Sequence, residues 1–175
     1  MHPTRNDLSE SARSDMVELL NTRLADAIDL RLQAKVAHWN VKGPGFIALH
    51  KLFDEVADDV EEYVDLLAER LVQLGGLAEG TARQVARRST LDEYAAEDSA
   101  EGHVPALADA LADFGRLARE AIDTAGAEGD QVTSDIFTEI ARGTDKWLWM
   151  VEAHLQAGHM REEAGRGESS RHASQ

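Results

Sequence analysis

Apolar residues recur along this chain at intervals of three and four, the spacing that gives a helix one apolar face. Met16, Leu20, Leu24, Ala27 and Ile28 keep it in a first stretch, which predicts a helix from about Ser9 to Asn40. Leu49, Phe53, Val56, Val60, Tyr63, Leu67, Leu71 and Leu74 keep it in a second, from Phe46 to Leu74. The run VKGPGF between them, Val41 to Phe46, cannot continue a helix, so the two stretches form an antiparallel hairpin. Gly75-Gly76 stops the second helix. A third is predicted from about Val104 to Thr124 through Leu107, Leu111, Phe114 and Leu117. A fourth runs from about Gln131 to Gln156 through Ile136, Ile140, Trp147 and Val151, with Asp130 as N-cap. Thr90 and Glu93 have the Thr-x-x-Glu spacing of a capping box, so a short extra helix over about Leu91 to Ser99 is expected in the long crossover between the second and third helices. No strand pattern and no solenoid repeat interrupts this series. The predicted fold is all-α, a four-helix bundle with one short extra helix.

Composition narrows the picture. A chain of 175 residues suits one domain, here placed at residues 15–159 between an N-terminal tail at 1–14 and a flexible C-terminal tail at 160–175, where Glu, Arg, Gly and Ser show no apolar periodicity. There is no Cys, hence no thiolate metal site or disulfide. The first residues lack the apolar core of a secretory signal and no apolar run is long enough for a membrane span, so the expected location is cytoplasmic, or nucleoid-associated if DNA is bound. With 18 Lys and Arg against 33 Asp and Glu, the net charge of −15 disfavours a phosphate backbone as partner and favours cations.

Candidate chemistry lies on the hairpin. His50 and Asp54 are four residues apart, as are Asp65 and Glu69, so each pair projects from one helical face. His38, just before the turn, is brought level with His50 and Asp54 by antiparallel packing. Asp54 and Asp65 share a face but stand roughly 16 Å apart along the axis at 1.5 Å per residue. Metal bonds to N and O are about 2 Å long, so the two groups of donors belong to different ions or different chains. A two-fold axis near Asp59 and Val60 would set Asp65 and Glu69 of a second copy against His38, His50 and Asp54, forming two identical shared sites. Mixed imidazole and carboxylate donors suit ferrous iron; zinc, manganese and cobalt also fit.

The run HWNVKGPGFIALHKLFDEV, followed at a fixed distance by DLLAERLVQLGG and later by DKWLW, resembles the signature of the Dps family, the ferritin-like DNA-binding proteins from starved cells. The resemblance spans about Asp15 to Leu155, and all five ligand positions of that family match at His38, His50, Asp54, Asp65 and Glu69. It implies a hollow dodecamer with two iron ions per ferroxidase centre at the dimer two-folds. It also implies oxidation of Fe(II), with hydrogen peroxide preferred to dioxygen, and storage of Fe(III) mineral. On this reading His38 joins Asp65 and Glu69 of the partner at the tighter position, and His50 with Asp54 completes a weaker one. Trp39 is implied as a radical sink beside the iron. Asp130 and Asp135 are candidate acids of a three-fold pore, where Asp135 matches best and Gln131 stands at an often acidic position.

Two alternatives differ in kind. One is a nucleoid-compacting DNA-binding protein, yet the N-terminus MHPTRNDLSESARSD carries only Arg5 and Arg13 against acids, and the C-terminus mixes Arg161, Arg166 and Arg171 with glutamates. Direct DNA binding is therefore disfavoured. The other is a conventional ferritin, whose in-bundle Glu-x-x-His motif this chain lacks.

Overall fold

Ser9 opens the first helix: its side chain accepts from the Ala12 amide, one of the donors that no helical carbonyl reaches. In this computed structural model the backbone is described over residues 1–95 and 100–172, and the side chains over 1–95 and 102–156. The elements are α1 (Glu10–Asn40), α2 (Phe46–Gln73), α3 (Ala82–Arg88), α4 (Ala100–Ala127) and α5 (Gln131–His172). Gly43 and Gly45 take φ of 94° and 82° in the turn between α1 and α2, a region costly for any residue with a Cβ. At the far end, Gly75 has φ 89° and its amide donates to Val72, while the Gly76 amide donates to Leu71, closing α2 in a glycine C-cap.

The expected apolar seams meet in one core. Met16, Leu20, Leu24, Phe53, Val60, Leu67, Leu71, Leu107, Leu111, Phe114, Ile140 and Val151 are buried together. α1 packs along α2 and α4 along α5, and the two hairpins join through α1 with α4 and α2 with α5. The all-α bundle with an extra crossover helix is therefore present, with that helix displaced. It spans Ala82–Arg88, not Leu91–Ser99, and its capping box is Thr81 with Gln84. Thr90 is turned toward α1 instead: its amide and hydroxyl donate to Asp26 at 2.6 and 3.2 Å, and its hydroxyl oxygen accepts from Arg23. Residues 91–95 are not helical, and residues 96–99 of the expected helix lie outside the described ones.

α1 buries a second face, of polar side chains. Asn21 donates to the Leu77 carbonyl and accepts from the Glu79 amide; Asp26 and Arg23 hold Thr90; Asp29 accepts from Ser89; Gln33 donates to the Asp92 carbonyl. The anchors advance along α1 as they advance through the crossover, so the crossover climbs α1 and delivers the chain to the start of α4. Burial pushes the Asp26 carboxyl above the usual carboxylate range, against the Thr90 bonds and Arg23 that favour its charged form.

The N-terminal segment docks across the end of α2: the His2 amide donates to the Gly75 carbonyl at 2.6 Å and Arg13 bridges the Leu8 and Leu74 carbonyls. α5 continues to His172, so the segment expected to form a flexible tail from residue 160 is helical up to that point.

Candidate metal centre

The hairpin turn sets two imidazoles against each other. His38 is in the last turn of α1 and His50 in the second turn of α2, with ring centroids 3.8 Å apart and planes inclined by 21°. Nδ1 of His38 lies 2.7 Å from the His50 carbonyl oxygen, and Nδ1 of His50 lies 2.9 Å from the His38 carbonyl oxygen. A carbonyl can only accept, so both Nδ1 atoms carry the proton and donate. Each ring thereby keeps Nε2 as an open lone pair, the tautomer a metal ligand needs, and the backbone fixes its orientation. The His38 carbonyl is one of those left without a helical partner at the end of α1, so the clasp also caps the helix.

Asp54 stands one helical turn after His50. Its Oδ1 accepts from Lys35 Nζ at 2.5 Å and is 3.7 Å from His38 Nδ1. The hydrogen bond from the Lys35 ammonium holds the Asp54 carboxyl below the usual carboxylate range. Three of the five sequence-predicted ligands are thus gathered at the turn end of the hairpin. Asp65 and Glu69 are not with them: both are exposed farther along α2 and make no ion pair among the described residues. No three His, Cys, Asp or Glu side chains of one chain converge on a point where a single ion would be held, again among the described residues.

The comparisons with known proteins fall on this same stretch. A ferritin-like domain model matches residues 17–160. A DNA protection during starvation protein of Agrobacterium fabrum is 42% identical over 156 residues, covering 89% of this chain and 96% of that protein. One from Mycolicibacterium smegmatis is 34% identical over 151 residues, covering 86% and 82%. The chain belongs to the Dps family of ferritin-like proteins. Solved Dps structures superpose closely: that of Mycobacterium smegmatis Dps at a TM-score of 0.84 with 33% identity and 89% of each chain covered, and DpsA14 of Streptomyces coelicolor at 0.83 with 33% identity, covering 87% and 90%.

Within this Dps chain the other candidates separate. Asp130 is 2% exposed; its Oδ1 accepts from the Thr133 amide and from Arg70 Nη2 at 2.7 Å, and its Oδ2 accepts from the Thr133 hydroxyl. It is the N-cap of α5 and half of a buried ion pair, so its contacts are within its own chain. Asp135 is exposed on α5. Trp39 is 64% exposed beside the imidazoles. The acids in the middle of α2 divide: Asp59 accepts from Trp147 Nε1 at 2.7 Å, Glu61 pairs with Arg31, and Asp58 and Glu62 are exposed. Lys35 escaped the sequence reading. Its only signal was position, three residues before His38 and so on the same face of α1.

Proposed function

We propose that this Dps protein is a ferroxidase and iron store, and that its catalytic centre is completed between two copies of the chain. The observation that carries the reading is the imidazole clasp, whose two Nε2 atoms are open at one end of a rod that bears Asp65 and Glu69 at the other. A two-fold copy supplies the missing carboxylates. The nearly parallel rings support one imidazole for each ion, because an ion in the plane of one ring, about 2 Å from its nitrogen, is out of the plane of the other. His38 with the partner's acids then forms the tighter position, and His50 with Asp54 the weaker.

Two Fe(II) substrate ions held side by side each give one electron to the same hydrogen peroxide, which with two protons leaves as two waters. No hydroxyl radical is released, and anionic ligands favour the more highly charged Fe(III) product. Peroxide is the preferred oxidant, and Fe(III) is stored as mineral inside a dodecamer. Asp135 draws cations through the three-fold pore, and Trp39 takes up stray one-electron oxidation. Protection of DNA follows from removing both reagents. It does not need a DNA grip, since the N-terminal segment is docked on Gly75 and the chain carries −15.

Stopped-flow iron oxidation with peroxide and with dioxygen, on samples of known mass, tests this. Replacing Asp65 and Glu69 together with alanine should slow the fast phase on the order of a hundredfold or more while the assembly keeps its mass. Unchanged rates in that variant would refute the shared centre.

A further inference from the structure

The start of α2 carries an aromatic ring that the core does not use. Phe46 is 39% exposed and stands outside the buried apolar cluster. The glycine turn sets its backbone, with its amide donating to the Gly43 carbonyl, and its side chain lies one helical turn before His50. The Phe46 and His50 ring centroids are 5.1 Å apart with planes inclined by 30°, while His38 meets His50 from α1 at 3.8 Å and 21°. His50 therefore has a flat neighbour on each helix of the hairpin. We propose that Phe46 is a positioning residue that fixes the plane of the His50 imidazole for metal binding. This rests on the reading of His50 as a ligand.

The hydrogen bond from His50 Nδ1 to the His38 carbonyl selects the tautomer and anchors one corner of the ring, but a ring held at one corner can still turn about that bond. A metal ion needs the Nε2 lone pair, which lies in the ring plane, so any turn of the plane carries the lone pair away from the ion. Contacts with the flat sides of neighbouring rings remove that freedom. His38 supplies one such contact but is itself a candidate ligand. Phe46 offers no donor atom to a metal, and among the described residues His50 is the one ring it touches. Its position at the surface gains nothing for the core, so the contact with His50 is what its ring provides. Holding one side chain in advance, through one aromatic pair, changes an affinity roughly two- to tenfold.

Calorimetric titration of the assembled protein with Zn(II), which cannot be oxidised, tests this. Phe46→Leu keeps apolar bulk without a flat face and should weaken binding at the His50 position roughly two- to tenfold, with the His38 position and the assembled mass unchanged. Phe46→Tyr keeps the ring and should bind as wild type does. On a His50→Ala background Phe46→Leu should change nothing further, because its effect passes through the imidazole. Wild-type affinity in Phe46→Leu, a fall in its assembled mass, weakened binding in Phe46→Tyr, or the same loss in the absence of His50 would each overturn the proposal, since each makes the ring a packing element and not a holder of His50. A His50→Ala protein that binds Zn(II) as wild type does would instead overturn the reading of His50 as a ligand, and the Phe46 proposal with it.

Discussion

At the scale of single residues, Tyr63 of α2 lies directly against Gly143 of α5. A Cβ at Gly143 would fall on the Tyr63 hydroxyl. Gly143→Ala gains about 1 kcal/mol of helix propensity but overpacks this contact by about 1–3 kcal/mol. We expect a net loss in denaturant unfolding, recovered in part when Tyr63→Phe is added. Burial, with Asp59 and Glu139 alongside, pushes the Tyr63 phenol up to about 12, and burial raises that of Tyr94 as well. The chain has only these two tyrosines. Absorbance at 295 nm should therefore show no phenolate step near the ordinary value of about 10. Because the folded-state pKa is raised, stability is lost as pH rises from the unfolded value through the folded one, and the step should coincide with alkaline unfolding. The five candidate ligands stood out in the sequence because metal geometry demands spacing, and the clustering of His38, His50 and Asp54 followed from the turn. Lys35 did not stand out, since a lysine on a helix surface resembles any other until its partner is seen.

At the scale of elements, the crossover shows where sequence reading lost its grip. Thr81 with Gln84 and Thr90 with Glu93 offer equally good capping signals, and local pattern cannot rank them. Asp26 ranks them by taking both donors of Thr90. The apolar periodicity of α1 likewise hid its buried polar face, whose partners are some sixty residues away in the chain. Asp26→Ala should leave Arg23, 8% exposed, without its carboxylate, at a cost of about 3–5 kcal/mol, and should raise amide exchange at Thr90 and Leu91 before the rest of the bundle. Gly75 tests the docked N-terminus: a Cβ there would lie 2.5 Å from the His2 carbonyl oxygen, at a φ of 89°. Gly75→Ala should release the segment, seen as faster tryptic cleavage at Arg5, with a loss of about 1–3 kcal/mol.

At the scale of the whole molecule, the long apolar seams made the bundle readable, since each helix needs a partner for its stripe and four stripes close one core. The contacts of the N-terminal segment with the end of α2 and the continuation of α5 to His172 were not legible, because hydrogen bonds to a helix end and helix propagation leave little trace in apolar pattern. Charge acts at this scale. Self-repulsion of a chain carrying −15 should make the assembly sensitive to ionic strength, so light-scattering mass should fall toward smaller species as salt is lowered well below 0.1 M, where the screening length exceeds 10 Å. For the same reason a gel shift with duplex DNA at physiological salt should show no tight complex.

The length of α2 between its two sets of donors has a genetic counterpart. If the centre is shared as proposed, one allele lacking both imidazoles and another lacking both distal acids should each be silent alone. Co-expressed, the mixed pair should rebuild one whole centre from the sound halves and leave the two broken halves in the other. Random pairing should then restore about a quarter of the parental turnover from two dead parents, a complementation that no centre contained in a single polypeptide can produce.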